Sequence, residues 1–273
     1  MNVALHISEY FKVSIVTICY NIKDNIEKTL QSISNQTYKQ YQWIIIDGGS
    51  TDGTLEILEK YSNHFNVFIS EKDNGIYHAM NKGIAKSSGE YLFFLNGGDT
   101  FYNDNVLETL IEKLDSKYHI IYGNLNCINQ NIEYFIRTPS NITKEVLYKG
   151  TLPHQAVIFH SKLFKKRKYV TKYSISSDYE FILYSFFNKK AKFLKVDITI
   201  SNFYLGGAST INKEKSLIEN DLIRKKNFGV IYRLKKNKIV KEKAEYIFML
   251  LTHPRYVAGY FKGLIIKWIS KLV

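Results

Sequence analysis

The chain of 273 residues reads as an α/β protein: a mostly parallel sheet flanked by helices, followed by a basic helical tail. Three observations predict this. Apolar, β-branched runs alternate with helical-period segments over the first 125 residues, the pattern of βαβ units. One stretch, D-N-G-I-Y-H-A-M-N-K-G-I-A-K-S-S-G-E-Y-L-F-F-L-N-G-G-D from Asp73 to Asp99, reads as loop, helix, turn and apolar strand, and the strand stops abruptly in polar residues and glycines. The charge is also unevenly spread. Of a net +13, residues 213–273 carry +10 and the rest only +3.

In order along the chain, residues 13–18 form a first buried strand and 25–36 a helix with Ile26, Leu30 and Ile33 on one face. Residues 43–46 make a second strand ending at Asp47, and 54–61 a helix. A short strand at 67–70, a helix at 76–86, a strand at 91–95, a helix at 106–114 and a strand at 120–125 complete the first half. In the second half, 134–137 and 156–160 read as strands, 178–187 as a helix and 193–203 as a strand pair, with helices at 212–228 and from 241 onward. The compositional break near Asn212 divides a body, 1–211, from an extension, 212–273.

Two cysteines, Cys19 and Cys127, make no disulfide framework and fit a reducing compartment. The N-terminus lacks a basic region followed by an apolar one, and no run reaches about 18 apolar residues, so neither a signal peptide nor a spanning helix is expected. The expected location is cytoplasmic.

A carboxylate just past the carboxyl end of a buried strand sits where open α/β sheets bind ligands. Asp99 occupies that place, and the stretch that ends there points to a metal-nucleotide site. The pieces V-S-I-V-T-I-C-Y-N (13–21), S-I-S-N-Q-T-Y (32–38), I-I-I-D-G-G-S-T-D-G-T (44–54), D-N-G-I-Y-H-A-M-N-K-G-I (73–84), G-E-Y-L-F-F-L-N-G-G-D (89–99), H-Q-A (154–156) and S-D-Y-E (177–180) occur in that order. Together they resemble the family 2 glycosyltransferases, most closely the branch that builds bacterial surface polysaccharides. The resemblance implies the GT-A fold, with a nucleotide-sugar half (1–125) and an acceptor half (126–211). It implies a nucleotide-diphosphate sugar donor with UDP as the expected nucleotide, a divalent cofactor (Mn²⁺ or Mg²⁺), and inversion at the sugar. The chain departs from the family in two places. Asp47-Gly48 stands where many relatives have two aspartates, and Asn96-Gly97-Gly98-Asp99 stands in place of Asp-x-Asp. The Arg-Trp motif of processive synthases is absent, which favours transfer of a single sugar.

The residues divide the work as follows. Thr17, Tyr20 and Asn21, after the first strand, could line a base pocket, with Tyr20 stacking on the base or simply packing. Asp47 could accept from a uracil imide or ribose hydroxyls, or be a plain loop residue. Asp52 reads equally as nucleotide ligand or helix cap. Asp73 and Gly75 fall in the region that touches base and ribose in the family. Lys82 could approach a phosphate, but an exposed helix lysine is the simpler reading. His78 reads as a packed or solvated histidine. Asp99 is expected to hold the metal, with one carboxylate sufficing if phosphate oxygens and water complete the shell, and Asn96 could offer an amide oxygen. His154 is a further candidate for metal, phosphate or acceptor. Asp178 is the expected general base for the acceptor hydroxyl, with Glu180 in reserve. Ser177 and Glu180 make a capping-box pattern that would leave Asp178 at the first helical position. Gly206-Gly207 reads as a loop near the site or a tight turn.

The segments 244–251 and 256–273 are aromatic and basic, and could lie on an anionic membrane surface where lipid-linked acceptors reside, making the protein peripheral at the inner face of the cell membrane, or could pack on the body or form a dimer contact. Acceptors are expected to be lipid-linked or growing glycans. A nucleotidyltransferase would show a glycine-rich phosphate loop where Cys19-Tyr20-Asn21 stands. A basic nucleic-acid-binding protein would spread its charge over a reading face. An inactive scaffold on the same fold would have no need of both Asp99 and Asp178.

Overall fold

The computed structural model of the chain describes residues 10–129, 132–206 and 212–252. Two compact units emerge, Met1–Asp221 and Leu222–Val273. The first therefore runs past the expected break near Asn212.

Within the first unit, β1 (Val13–Cys19), α1 (Lys23–Ser34), β2 (Tyr41–Asp47), α2 (Thr54–Lys60), β3 (Val67–Ser70), α3 (Ile76–Lys86) and β4 (Tyr91–Phe94) follow the expected alternation. After them come β5 (Thr100–Phe101), α4 (Val106–Ile111), β6 (Ile120–Asn129), β7 (Ile132–Ile136), α5 (Lys144–Lys149), β8 (Val157–His160), α6 (Ser177–Phe187) and β9 (Phe193–Tyr204). The helix α7 spans Lys213–Thr252, and Gly229 inside it has non-helical backbone (φ 46°, ψ −106°).

All these strands join one mixed sheet in the order β3-β2-β1-β4-β8-β6-β9-β5, with β7 paired to β6. The first half is parallel: β3 on β2, β2 on β1, β1 on β4. Beyond β4 the antiparallel β8 enters, and β6 pairs antiparallel with β7 and β8 but parallel with β9. The expected strand pair at 193–203 is a single strand. Its interruption at Asp197 is absorbed by a bulge against β6 between Tyr122 and Asn124. The two-residue β5 and the helix α5 are too short to carry a readable period, and the sequence did not reveal them.

The core explains the order. Burial on both faces makes β4 a continuous apolar run and leaves β1 apolar but for Ser14 and Thr17. The α1 face of Ile26, Leu30 and Ile33 is fully buried, each side chain contributing about 1.5–3 kcal/mol of transfer free energy. On the other side of the sheet Phe164 stacks on Phe181 of α6, with ring centroids 4.4 Å apart, and Phe94, Phe159 and Tyr169 close the cluster edge-on. This aromatic knot fixes α6, and with it Asp178, against the end of β4.

Candidate active site

Because β1, β2, β3 and β4 are parallel, their carboxyl ends share one edge of the sheet. After β3 the chain crosses back to the far side of β1, so the strand order reverses between β1 and β4. That reversal is the crevice where open α/β sheets take ligands. The turn after β4 is drawn against β1 by Gly97 N–H donating to Ile18 O at 2.8 Å. A Cβ on Gly97 would lie 3.0 Å from Cys19 Cβ, and Gly98 has φ 97°, so this turn needs its glycines.

The residues around β1 and β2 are mostly committed to the fold. Thr17 is fully buried and its Oγ1 accepts the Trp43 indole N–H, so it belongs to the core and lines no base pocket. Asp47 is also fully buried. Its Oδ2 accepts from Gly49 N (3.1 Å), Ser50 N (2.9 Å) and Ser70 Oγ (2.7 Å), and its Oδ1 from Ser50 Oγ (2.5 Å). The carboxylate staples the β2 turn to the end of β3 and is spent on it. Asp52, one residue before the N-cap Gly53 of α2, bridges two helix starts: Oδ1 accepts from Thr54 N and Oγ1, and Oδ2 from Lys23 N at the start of α1. These bonds hold its pKa below the usual carboxylate value. Asn21, at φ 47°, accepts from Thr51 N. Of this group Tyr20, 63% exposed with its ring against Gly48, offers an aromatic face to a base.

The next cluster belongs to the loop before α3. Asp73 Oδ1 lies 2.5 Å from Lys82 Nζ and 3.0 Å from His78 Nδ1, while its buried Oδ2 has no partner among the described residues. Lys82 also pairs with Glu71 at 2.8 Å, so it is an anchored cation rather than an exposed one. Gly75 (φ 98°) is the N-cap residue of α3, with open space where a Cβ would stand.

The third cluster brings Asn96, His154 and Asp178 together. Asn96 Nδ2 donates to His154 Nε2 at 3.0 Å, which leaves the ring proton on Nδ1, facing Asp178 Oδ2 at 3.7 Å. Burial lowers the His154 pKa, against an upward pull from Asp178, so the ring is neutral at pH 7. Asp178 Oδ1 lies 2.8 Å from Tyr77 Oη, which also lies 2.7 Å from Ile175 O. Burial, then the Asp178 charge, raises the Tyr77 pKa well above its ordinary value. The capping box does not form: Ser177 Oγ accepts from Val170 N, and Glu180 pairs with Arg167 at 2.5 Å, which removes it from the acceptor side. Sequence reasoning missed Tyr77. It stood inside the Asp73–Asp99 stretch, but its partner is 101 residues away.

A cavity of about 240 Å³ opens beside Asp178. His154, Gln155 and Ser176 line its polar side, and Leu125, Tyr134 and Phe203 its apolar side. Asp99 is buried, 5% exposed, held by the Gln155 side chain and the Tyr204 backbone; burial pushes its carboxyl up to about 8. Among the described residues no group of three or more His, Cys, Asp or Glu converges. The Asn96–Asp99 turn offers a cation one carboxylate and the buried Asn96 Oδ1, which is unpartnered among the described residues. This partial set suits a hard divalent ion that completes its shell with phosphate oxygens and water.

Known proteins share both the sequence and the fold. An uncharacterized glycosyltransferase of Mycobacterium tuberculosis, Rv1514c, is 34% identical over 182 residues, 63% of this chain and 67% of its own. TuaG of Bacillus subtilis, a glycosyltransferase assigned to teichuronic acid biosynthesis, is 30% identical over 146 residues, 51% of this chain and 58% of its own. Staphylococcus aureus TarS 1–349, solved with UDP-GlcNAc, superposes with a TM-score of 0.60 at 19% identity, over 78% of this chain and 65% of that one. The mannosyltransferase PcManGT of Pyrobaculum calidifontis, solved with GDP-Man and Mn²⁺, gives 0.60 at 14% identity, over 79% and 64%. These two likenesses establish the GT-A architecture of the fold. The family model for glycosyl transferase family 2 matches residues 14–180, a span that holds every site residue from Thr17 to Asp178, and the chain belongs to that family of glycosyltransferases.

Proposed function

We propose that the protein moves a single sugar from a nucleotide-diphosphate sugar, with UDP as the nucleotide, onto a hydroxyl of a lipid-linked or growing surface glycan, inverting the anomeric carbon. The observation that carries this reading is Asp178, a carboxylate in the wall of a cavity of about 240 Å³, beside a neutral histidine. In that role Asp178 takes the proton of the acceptor hydroxyl as its oxygen attacks the anomeric carbon, through an oxocarbenium-like transition state. Tyr77 holds one carboxylate oxygen by a hydrogen bond, and the neutral His154 ring stands beside the other. Tyr20 stacks on the base, and Asp73 Oδ2, with its free lone pairs, takes a nucleoside hydroxyl or imide. Asp99 with Asn96 would hold Mn²⁺ or Mg²⁺, which neutralises the departing diphosphate when bound. TarS with UDP-GlcNAc supports UDP, and PcManGT with GDP-Man and Mn²⁺ supports a cation and keeps GDP in the comparison.

Family membership favours this reading over a scaffold or nucleic-acid-binding protein. Among the described residues no helix is long and apolar enough to cross a membrane. We place the protein at the inner face of the cell membrane through its basic tail, whose last segment, 256–273, lies outside the described residues, as does Gly207. Calorimetric binding of UDP, GDP and dTDP, with and without Mn²⁺, on wild type and Asp99→Asn tests the donor site. Binding of one nucleotide that strengthens with metal only in the wild type is the expected result. No binding of any of the three overturns the reading.

A further inference from the structure

Three successive backbone N–H groups ahead of α6 converge on one carboxylate from a distant element. Glu219, on α7 and within the first compact unit, accepts on Oε1 from Ser174 N (2.8 Å) and Ser174 Oγ (3.1 Å), and on Oε2 from Ile175 N (3.0 Å) and Ser176 N (2.9 Å). The residue is 6% exposed. Converging N–H groups form a positive concavity, and a carboxylate is the acceptor that fills it with charge-assisted bonds.

The clamped turn leads directly to the reactive group. The Tyr77 hydroxyl, which donates to Asp178 Oδ1, lies 2.7 Å from Ile175 O, Ser176 is the N-cap residue of α6, and Asp178 lies in its first turn. Ser216 and Asn220, flanking Glu219 on α7, line the same cavity as Asp178. We propose that Glu219 is a positioning residue for catalysis: it locks the Ser174–Ser176 turn so that the Asp178 carboxylate is held toward the acceptor cavity. The inference rests on the reading of Asp178 as general base. It makes the start of the basic extension a working part of the catalytic unit, where the sequence left open whether the extension binds a membrane or packs on the body.

The chemistry sets the size of the effect. Glu219→Gln is nearly isosteric, but it turns an NH₂ group toward N–H donors and loses about half the clamp. Misplacing a reacting group by about 1 Å costs on the order of 100-fold in rate. The experiment follows hydrolysis of UDP-glucose, UDP-N-acetylglucosamine, GDP-mannose and dTDP-glucose in the presence of Mn²⁺, with water as acceptor. On the donor that the full chain hydrolyses, Glu219→Gln is expected to lower kcat about 10- to 100-fold with donor KM within about two-fold, and Ser174→Ala, which loses only the hydroxyl bond, about 2- to 5-fold. Combined with Asp178→Asn, Glu219→Gln should slow the enzyme no further. Should Glu219→Gln fail to fold, the Ser174→Ala result decides. An inactive Asp178→Asn alongside Glu219→Gln or Ser174→Ala at wild-type kcat overturns the Glu219 assignment alone. An active Asp178→Asn, or a wild type that hydrolyses none of the four donors, overturns the parent reading and this inference with it.

Discussion

His154 faces Asp178 Oδ2 with Nδ1 at 3.7 Å, while its Nε2 accepts the Asn96 amide at 3.0 Å. The arrangement brings the turn after β4 and the first turn of α6 to the two sides of one ring. The ring's neutrality matters. An imidazolium there would stabilise the Asp178 anion and weaken it as a base. A neutral ring leaves that charge unpaired on its side of the carboxylate.

Under the proposed roles, replacing His154 by glutamine should therefore lower kcat about 10- to 100-fold while UDP affinity stays within about two-fold, since the ring faces Asp178, the proposed base, rather than Tyr20 or Asp73. Stability gives a second readout. The lowered His154 pKa means that the unfolded chain binds a proton below about pH 6.5 that the folded chain resists. Its contribution is intact above that pH and is lost as pH falls. The fall in melting temperature between pH 7 and pH 5 should be shallower in His154→Gln. Equal slopes would show that the ring is not buried neutral.

Tyr77→Phe removes one hydroxyl from between Ile175 O and Asp178 Oδ1. The expected cost is about 0.5–1.5 kcal/mol of stability by denaturant melt. A several-fold drop in kcat should accompany it, as the base loses its fixed rotamer. A stability loss with unchanged kcat would make Tyr77 a packing residue only.

Asp47 and Asp52 should behave as structure, not as ligands. Asp47→Ala strands two N–H donors in a buried turn and should destabilise by about 2–4 kcal/mol by denaturant melt. Asp52→Ala removes a bridge exposed to water, which can replace it, and should cost clearly less. In Asp52→Ala, UDP affinity should stay within about three-fold of wild type by calorimetry. A ten-fold loss there would return Asp52 to the nucleotide site.

These assignments show what the sequence could and could not display. The parallel half of the sheet was readable because its strands are buried on both faces and separated by helices of regular period. Asn96, His154 and Asp178 were readable as candidates because each stands at the edge of an apolar element. Thr17 misled because, within an apolar strand, a threonine that caps an indole looks the same as one that lines a pocket. Asp47 misled because a strand-end carboxylate can serve a ligand or its own turn, and only the positions of Gly49, Ser50 and Ser70 decide between them. Tyr77 and Glu219 went unseen because their partners lie 101 and 43 to 45 residues away, and no local period encodes such a meeting.

Asp99 carries the prediction in which function and stability should part most clearly. Burial raises its carboxyl to about 8, so the folded chain keeps a proton that the unfolded chain releases near pH 3.8. For a carboxylate raised in this way, stability is greatest below about pH 4, falls as pH rises, and levels off above about 8. At pH 7 the liability is on the order of 4 kcal/mol, an upper bound, since a buried site relaxes. In Asp99→Asn the side-chain amide has no titrating proton, and its carbonyl oxygen can still accept from the Tyr204 backbone. The variant should therefore melt close to wild type at pH 4.5 and progressively above it at pH 6 and pH 8. It should also lose the gain in UDP affinity that Mn²⁺ gives the wild type, because the turn would keep only neutral oxygens for a cation. A melting difference that does not change with pH would refute the buried, protonated carboxyl. A variant that keeps its metal response would move the cation to other residues.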